Sequence, residues 1–496
     1  MIRAYSVSSV RSAEAAAMAG LEEGVLMSRA ASRLAVVAAA RLGHPGGRQV
    51  VAMVGAGNNG GDALYAAASL AKDGAAVVVL RVAESVHEGG LHAARDAGAL
   101  VLNAFGVNAD SDSAVSSALG SAELLIDGIV GIGGHPGLSP QIEALLREVS
   151  DRAYVLAVDL PSGADPDGEV ETQSCVHADE TVTFIAAKPV HLLPATESAV
   201  GRLSIVDIGV EIAGSPVVER VTADDIADLW PRPGPADDKY SRGVLGVIAG
   251  GESYTGAALL AVTAAVCSGA AMVRYIGPPT PTLLVRSQVP EAVIGEGQVQ
   301  AWLLGPGVDV GDESTEGRAQ RAAVQSALDS GLPCVVDAGG LDLILEPRST
   351  PTLLTPHAGE LARLLTRLDS AVDRASVAGA PLAHARHLAD LTNSTVLLKG
   401  ATTLIASPSA SGLPMRAQAD APPWLATAGS GDVLAGLAGT LLASGLSPRD
   451  SGSVAALVHG LAGDASNPGG PVRALGVAHA IPGVVAALLA RKTARS

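Results

Sequence analysis

The sequence has few aromatic and few basic residues, and both shortages limit what the protein can bind. Only 2% of its 496 residues are aromatic, and 50 Asp and Glu outnumber 33 Lys and Arg, for a formal net charge of −17. Nucleic acids and anionic lipids require basic patches, and single strands also require aromatic stacking surfaces. Because no run of Lys or Arg is present, we expect neither nucleic acid nor a membrane as the main partner.

Cysteine is also scarce, and no secretory signal is recognisable. Cys175, Cys267 and Cys334 lie far apart without a C-x-x-C pair, which predicts buried thiols in a reducing cytoplasm. The first residues contain no uninterrupted apolar stretch of the kind that a signal peptide has. The uncharged segment Thr255–Val273 consists mostly of small residues, which favours a buried helix over a membrane span. We therefore predict a cytoplasmic protein.

The hydrophobic residues, 48% of the chain, form short β-branched runs that alternate with Ala-rich stretches. This alternation is typical of α/β folds, in which helices cover both faces of a parallel sheet. A chain of this length is expected to have roughly two to four domains. Gly214 and Pro216 mark a break between two α/β halves. We predict domains at 1–212 and 223–496, joined by a linker at 213–222.

Individual elements follow from the same patterns. A helix start is predicted at Thr222, and Trp230–Tyr240, with its prolines, is predicted to be an extended lead-in. The predicted strands are Gln49–Val54, Ala76–Val82, Glu123–Ile126, Tyr154–Val158, Gly201–Val210, Val244–Ala249, Ala301–Leu304, Pro333–Val336 and Thr395–Leu398. The predicted helices are Asp62–Asp73, Pro140–Ser150, Thr255–Val273, Val433–Leu446 and Pro482–Arg491.

The first predicted strand runs into a glycine-rich turn that precedes a helix. Gly55, Gly57 and Gly60 satisfy G-x-G-x-x-G in the context that a dinucleotide-binding turn requires, because glycine lets the backbone approach a pyrophosphate. Glycine-rich turns also occur without any ligand. The overlapping segment Asn58–Asp62 favours a ligand site here, because its two amides and its carboxylate contribute little to a bare turn.

Two more predicted strands end in polar or glycine-rich segments. Asp127 precedes the loop Gly131–Gly137, and Asp159 lies just before Ser162. Because ligands of an open parallel sheet bind beyond the carboxyl ends of its strands, these residues and Asn59 are predicted to converge on one polar site. Oxygen ligands without Cys or His suit a hard cation.

Four segments of the first half resemble the NAD(P)H-hydrate epimerase family: Asn58–Asp62 (NNGGD), Ile126–Gly133, Val158–Gly163 and Ala186–Pro194. Members interconvert the R and S forms of the hydrated nicotinamide coenzyme. The resemblance implies a Rossmann-like three-layer sandwich for the N-terminal domain. It also implies loss and re-addition of water at the hydrated carbon, which needs an acid/base group and a positioned water.

The same resemblance implies roles for single residues. Asp159 is the candidate base, and Lys188 is expected near it. A potassium ion is expected at Asn59, Asp127 and Ser162. The residues implied to contact the hydrate are Asn58, Asn59, Gly60, Gly61, Asp62, Gly131, Ile132, Gly133, Gly134, His135, Pro136, Gly137 and Asp159.

The second half contains a turn of small residues followed by an acid. Thr427–Asp432 (TAGSGD) precedes an apolar helix, so its amides can bind an anion while Asp432 takes a proton from a substrate hydroxyl. With Lys399–Thr403 after a predicted strand, the pattern indicates phosphoryl transfer. Because G-x-x-x-x-G-K-[ST] is absent, the P-loop enzymes are excluded.

Together with Gly250–Ala258, Leu304–Gly307, Val336–Ala338 and Leu354–Glu360, these segments resemble the ADP-dependent NAD(P)H-hydrate dehydratase family. That family has a ribokinase-like fold, which implies a three-layer α/β/α domain. It also implies ADP as co-substrate, Mg²⁺ on its phosphates and Asp432 as the catalytic base. The residues implied to bind the S-hydrate are Ala257, Gly307, His357 and Asp432. The residues implied to bind the nucleotide are Lys399, Gly400, Ala401, Thr402, Thr403 and Gly431.

The two resemblances predict a bifunctional coenzyme-repair enzyme, which epimerises the R-hydrate and dehydrates the S-hydrate with ADP to give AMP and phosphate. They also suggest a homo-oligomer. The main alternative is a ribokinase-like vitamin-precursor kinase whose N-terminal half is a non-catalytic nucleotide-binding module. A dehydrogenase is a further alternative, against which the NNGGD segment argues. The sequence leaves open ADP against ATP, and the NADH hydrate against the NADPH hydrate.

Overall fold

The computed structural model describes residues 1–106 and 113–493. The chain divides into two compact units. The N-terminal unit comprises Arg3–Val218, and the C-terminal unit begins at Glu219 and also takes in Met1 and Ile2. The division lies inside the segment 213–222 that the sequence suggests as a linker.

The first part of the chain alternates helices with strands of buried apolar residues. Its 3₁₀ turn at Pro189–His191 follows the strand Glu180–Phe184. In chain order the elements are β1 (Ile2–Ala4), α1 (Val7–Met18), α2 (Val25–Leu42), β2 (Gln49–Val54), α3 (Asn58–Lys72), β3 (Ala76–Arg81), α4 (Glu88–Asp96), β4 (Leu100–Asn103), α5 (Ser113–Gly120), β5 (Leu124–Gly128), α6 (Pro140–Arg147), β6 (Tyr154–Val158), β7 (Glu180–Phe184), α7 (Glu197–Val200) and β8 (Arg202–Val206).

The N-terminal unit is built on a parallel sheet of seven strands in the order β4-β3-β2-β5-β6-β7-β8. The strand order reverses between β2 and β5, because the chain moves outwards through β3 and β4 and then returns to the other side of β2. At such a reversal the two outgoing loops diverge and leave a crevice beyond the strand ends. The α/β fold with a parallel sheet is confirmed for this half.

The C-terminal unit repeats the α/β alternation on a larger sheet. Its sheet contains 11 strands, ordered β1-β9-β18-β17-β16-β15-β14-β13-β10-β11-β12. Its elements are β9 (Val218–Arg220), α8 (Ile226–Leu229), β10 (Val244–Ile248), α9 (Thr255–Cys267), β11 (Met272–Ile276), α10 (Pro279–Gln288), β12 (Val293–Ile294), β13 (Ala301–Leu304), α11 (Thr315–Leu328), β14 (Cys334–Val336), β15 (Thr352–Leu354), α12 (Ala358–Leu368), α13 (Arg374–Gly379), α14 (Pro381–Thr392), β16 (Thr395–Leu398), β17 (Thr403–Ala406), β18 (Met415–Gln418), α15 (Ser430–Ala443), α16 (Pro448–Ser466) and α17 (Ala474–Thr493).

The strands from β10 to β16 run parallel, and β17 and β18 add an antiparallel edge. Here too the order reverses, at β10 and β13. Helices α9, α15, α16 and α17 contribute buried Ala, Val and Leu side chains to the core of this unit. Among the described residues one segment, Ala474–Arg491 in α17, has the length and apolar composition of a membrane span, and a third of it is buried in the unit.

Several predicted boundaries are wrong, and the differences have local causes. The predicted helix Thr255–Val273 ends at Cys267, because Gly269 adopts φ +84° and the chain turns into β11. The terminal helix begins at Ala474 rather than at Pro482, which lies inside it. The helix expected from Thr222 is the short α8.

The prediction of three buried thiols is correct for Cys334 only. Cys175 and Cys267 are half-buried.

Candidate active sites

A large cavity lies beyond the ends of β2 and β5, at the reversal of the N-terminal sheet. Its volume is about 1670 Å³, and its wall includes Asn58, Asn59 and Asp62 from α3 and Asp159 from the end of β6. Small-molecule sites in proteins occupy roughly 300–1,000 Å³, so the cavity is large enough for a ligand of dinucleotide size. Of the four residues predicted to converge at this edge of the sheet, Asn59 and Asp159 line the cavity, whereas Asp127 and Ser162 lie outside its wall.

The glycines of the first turn allow a close approach of backbone to backbone. A Cβ atom on Gly55 would lie 2.0 Å from the carbonyl oxygen of Ile129, and one on Gly60 would lie 2.3 Å from that of Gly55. Gly57 caps α3 with φ +88°. Helix α3 therefore begins at Asn58, not at Asp62 as predicted, and the NNGGD segment forms its first turn.

Two buried polar atoms on this helix lack a partner. Neither Nδ2 of Asn59 nor Oδ1 of Asp62 has a hydrogen-bond partner among the described residues. Such atoms are costly in a folded protein unless a ligand or an ordered water satisfies them. Because both residues line the cavity, the arrangement supplies a donor and an acceptor for a polar ligand.

Asp159 is held by a buried network. Its backbone adopts φ 67°, an uncommon conformation for a residue other than glycine. Its Oδ1 accepts hydrogen bonds from Nζ of Lys188 and from Oγ1 of Thr183, the latter at 2.9 Å. Burial opposes ionisation, but the Lys188 ammonium outweighs it and lowers the pKa of Asp159. The expected proximity of Lys188 is confirmed, and Asp159 is a carboxylate at neutral pH.

His191 fixes the backbone around this ion pair. Its Nδ1 accepts from the amide of Lys188 at 2.9 Å, and its Nε2 lies 2.8 Å from the carbonyl oxygen of Asp159. Burial and the nearby ammonium lower the pKa of His191 to about 4. The ring is therefore neutral, with its proton on Nε2, and it ties together the two segments that carry the pair.

Two further carboxyl groups face Asp159 across the cavity. Burial raises the pKa of Asp62 well above its usual range, and the carboxylates of Asp159 and Glu14 raise it further. Burial also raises the pKa of Glu14. Glu14 lies on α1, far from every motif, and the sequence contains no signal that points to it.

The residues expected to bind potassium come from three segments: Asn59 from α3, Asp127 from β5 and Ser162 from the loop after β6. The Asp127 carboxylate accepts from the Ser162 amide at 2.8 Å and from its hydroxyl at 2.6 Å. Burial raises the pKa of Asp127 to about 6. The Ser162 oxygen also accepts from the amide of Val130 at 2.9 Å, and a Cβ on Gly131 would lie 3.2 Å from Oδ1 of Asn59. The structure thus brings these oxygen atoms to one loop.

The structure places only some of the other residues expected to contact the hydrate in the cavity wall. Of the loop that follows β5, the cavity wall includes Gly131, Ile132 and Gly133. The other expected contacts lie outside that wall: Gly60, Gly61, Gly134, His135, Pro136 and Gly137. Gly60 and Gly61 lie in the first turn of α3, where glycine permits close packing.

In the C-terminal unit, Asp432 lies in the first turn of α15, which begins at Ser430 rather than at Val433 as predicted. The helix is preceded by Gly429 with φ 86°. Burial raises the pKa of Asp432 to about 7, with Asp337 and Glu360 adding to the rise and Lys399 opposing it. A carboxyl group with such a pKa can exchange a proton near neutral pH.

Lys399 is the centre of this second cluster. Its Nζ lies 2.7 Å from Oδ1 of Asp337 and 3.7 Å from Oε2 of Glu360. Burial opposes its charge, but the two carboxylates outweigh this effect and raise the pKa of Lys399. A Cβ on Gly431 would lie 3.4 Å from the same Nζ, so the first turn of α15 packs on the ammonium. The cluster occupies the carboxyl ends of β14, β15 and β16.

His357, expected to bind the S-hydrate, caps helix α12. Its Nδ1 accepts from the amides of Gly359 and Glu360, at 3.0 and 3.1 Å. In return its own amide donates to the Glu360 carboxylate at 2.8 Å. The His357 side chain is 58% exposed, and its Nε2 lies 3.5 Å from Oε1 of Glu360.

Ala257 and Gly307 meet at the reversal of the second sheet. A Cβ on Gly307, whose φ is +67°, would lie 2.6 Å from Cβ of Ala257. A smaller cavity of about 550 Å³ opens beside this point, with Gly251 and Tyr254 in its wall. Of the residues expected to bind nucleotide, Lys399–Thr403 form the turn between β16 and β17, and Gly431 lies in the first turn of α15.

Known proteins resemble the chain over nearly its whole length. A model of the NAD(P)H-hydrate dehydratase family matches residues 245–473, and a model of the YjeF-related protein N-terminus matches residues 23–190. The bifunctional NAD(P)H-hydrate repair enzyme of Mycobacterium leprae is 41% identical over 491 residues, with 94% of each chain covered. The enzyme of the same name from Escherichia coli is 29% identical, over 91% of this chain and 87% of its own.

A solved structure resembles about half of the chain. It is the ADP/ATP-dependent NAD(P)H-hydrate dehydratase of Bacillus subtilis co-crystallised with ATP and Mg²⁺. It is 25% identical, with a TM-score of 0.48, and the match covers 54% of this chain and 97% of that chain.

Proposed function

The chain belongs to the family of bifunctional NAD(P)H-hydrate repair enzymes, and from this premise we propose that it performs both reactions of that repair. The N-terminal unit epimerises the R-hydrate of NADH or NADPH to the S-hydrate. The C-terminal unit dehydrates the S-hydrate at the expense of ADP, giving AMP and phosphate. The observation that carries the proposal is the similarity to the Mycobacterium leprae enzyme, which spans both units.

For the epimerase, the proposed site is the large cavity of the N-terminal unit. Loss of the C6 hydroxyl leaves a planar, cationic ring, and water returning to the opposite face gives the other epimer. The ionised Asp159 suits this intermediate, because a buried carboxylate stabilises nearby positive charge and can accept a proton from the incoming water. The residues that suit a potassium ion are Asn59, Asp127 and Ser162, since they offer carbonyl, carboxylate and hydroxyl oxygen atoms, which a hard cation prefers.

For the dehydratase, the proposed base is Asp432. It removes the proton of the C6 hydroxyl as that oxygen attacks the terminal phosphorus of ADP, and the bond from phosphorus to AMP breaks. Phosphate then leaves C6 while a proton leaves C5, which restores the double bond of the dihydronicotinamide. The amides of Gly429–Gly431 and the ammonium of Lys399 stabilise the charge on the transferred group.

The nucleotide and its metal complete the proposal. Among the described residues no group of three or more His, Cys, Asp or Glu side chains has the arrangement of a metal site. We therefore propose that Mg²⁺ arrives on the phosphates of the nucleotide, as it commonly does in phosphoryl transfer. ADP as the preferred nucleotide, the turn Lys399–Thr403 as its site, a homo-oligomer and a cytoplasmic location are part of the same proposal.

To test the proposal, the protein is added to a mixture of R- and S-hydrates of NADH with ADP and Mg²⁺. The recovery of NADH is measured by its absorbance. We expect the protein to recover NADH from both epimers faster than they exchange in buffer. With the Asp159→Ala chain, recovery of NADH should stop at the S fraction. The epimerase site then lacks its carboxylate, while the dehydratase unit is intact. Wild-type recovery from the R-hydrate in that chain contradicts the role of Asp159.

Two other results bear on the alternatives. Recovery that stops at the S fraction in the wild-type protein supports an N-terminal binding module without epimerase activity. A stable phosphorylated hydrate, with no release of phosphate, supports a kinase instead of a dehydratase.

The dehydratase is also expected to depend on pH through Asp432. Since a base works only when ionised and the pKa of Asp432 is raised to about 7, kcat/KM for the S-hydrate should rise from about pH 6 and level off above about pH 8. Glu360→Gln removes one of the carboxylates that raise this pKa, so the midpoint should move to lower pH. A flat profile for the wild-type protein contradicts the assignment.

A further inference from the structure

The wall of the epimerase cavity contains more carboxyl groups than basic groups. Its carboxyl groups are Asp62, Asp159, Glu14, Glu22 and Glu23, and its basic groups are Arg11 and His87, while the Lys188 ammonium beside it is bonded to Asp159. Like charges confined in a poorly solvated site do not all ionise at neutral pH. A carboxyl group here that is buried and has no basic partner is therefore expected to keep its proton.

The surroundings identify Asp62 as that group. It is 9% exposed, its Oδ1 has no partner among the described residues, and it lines the cavity. Glu14 is less buried and has Arg11 one turn before it on α1. The pKa of Asp62 is raised chiefly by burial and then by the two neighbouring carboxylates, which is the expected direction for a protonated acid.

The other polar groups around Asp62 do not change this balance. His87 caps α4 by accepting from the amide of Gly90 at 3.0 Å, and its ring packs against that of Tyr65, with centroids 5.7 Å apart. The Lys188 ammonium is bonded to Asp159, Thr183 and a backbone carbonyl. Among the described residues, no basic group donates a hydrogen bond to Oδ1 of Asp62.

Asp159 lacks the proton that the reaction needs first. A hydroxyl leaves C6 readily only as water, so the site must donate a proton to it. Asp159 is held ionised by Lys188 and can accept a proton but has none to give. A second, protonated group is therefore required within the same cavity.

We propose that Asp62 is the catalytic acid of the epimerase, a role that rests on the function proposed above. Asp62 donates its proton to the C6 hydroxyl, the bond from C6 to that oxygen breaks, and water leaves. Water then adds to the opposite face of the planar ring, and its surplus proton passes to Asp159. Because Asp159 is the stronger acid of the two, the proton returns to Asp62, and the cycle ends with no net change of atoms or charge.

The proposal is tested on the full chain by the rate of exchange from the R- to the S-hydrate, without ADP. Asp62→Asn keeps the shape of the side chain but removes the acid, so exchange should fall by about 10²–10⁴-fold. Asp73→Asn, a change at an exposed residue that ends the same helix, is the matched control and should exchange at the wild-type rate. Full exchange by Asp62→Asn overturns the proposal.

A second measurement does not depend on how the Asp62→Asn chain folds. Since the protonated form of Asp62 is the active one, wild-type exchange should decline as the pH rises through its raised pKa. Glu14→Gln removes a repelling carboxylate, so the same decline should occur at lower pH. A decline that Glu14→Gln leaves in place, or moves upwards, overturns the role of Asp62.

Failure of this inference differs from failure of the proposed function. If the wild-type protein does not accelerate exchange at any pH, the epimerase function itself fails. If it does accelerate exchange but Asp62→Asn retains full activity, only the assignment of the acid fails.

Discussion

The Asp432→Asn chain is expected to lose the dehydration of the S-hydrate by about 10²–10⁴-fold. An amide of the same shape cannot accept the hydroxyl proton, and phosphoryl transfer then proceeds without its base. The substitution also removes a carboxylate that Asp337 and Glu360 repel, so we do not expect the unit to be destabilised. The rate is measured as NADH formed from purified S-hydrate with ADP and Mg²⁺.

Two controls make this result specific. Asp464→Asn alters an exposed carboxylate on α16 and should leave the rate unchanged. Exchange of R- and S-hydrates by the Asp432→Asn chain should continue at the wild-type rate, because that reaction is assigned to the other unit. If the Asp432→Asn chain dehydrates the S-hydrate at nearly the wild-type rate, the assignment of Asp432 as the base is wrong.

The second large effect is expected from Lys188→Met, which leaves the carboxylate of Asp159 buried and unpaired. The Lys188 side chain is 1% exposed and that of Asp159 is 12% exposed. Removing one partner of a buried ion pair costs roughly 3–5 kcal/mol of stability. The cost falls on the N-terminal unit, so we would measure it by hydrogen exchange of the buried amides of β7 rather than by unfolding of the whole chain.

Matched variants separate the loss of the pair from the loss of a lysine. Lys72→Met, at an exposed position near the end of α3, should change stability by less than about 0.5 kcal/mol. Adding Asp159→Asn to Lys188→Met should restore much of the loss, because no unpaired charge is then buried. If Lys188→Met alone unfolds no more readily than Lys72→Met, the pair does not stabilise the unit.

The two sites share an electrostatic arrangement. In each, a lysine is paired with one carboxylate, Lys188 with Asp159 and Lys399 with Asp337. In each, a second carboxyl group at the start of a helix has a raised pKa, because burial and the first carboxylate oppose its charge. Each site therefore combines a paired carboxylate with a second carboxyl group whose protonated form is favoured by burial.

The sequence by itself was sufficient for the α/β class of both halves and for the placing of most strands. Gln49–Val54, Tyr154–Val158, Ala301–Leu304 and Thr395–Leu398 are strands with the predicted bounds. These predictions succeed because buried parallel strands are short apolar runs ended by glycine or a polar residue, a pattern that local spacing reveals. The same local spacing predicts ligand-binding turns at Asn58–Asp62 and Thr427–Asp432.

Only the tertiary structure decided which carboxyl groups share a site and which of them hold protons. Glu14 lies on α1 and Asp62 on α3, and Glu360 and Lys399 come from separate elements of the second sheet. Their ionisation depends on burial and on charges brought near by packing, and both are set by residues distant in the chain. The spacing of residues along a sequence does not show which distant residues pack together. The motifs therefore indicate the chemistry, and the tertiary structure determines which carboxyl groups are protonated.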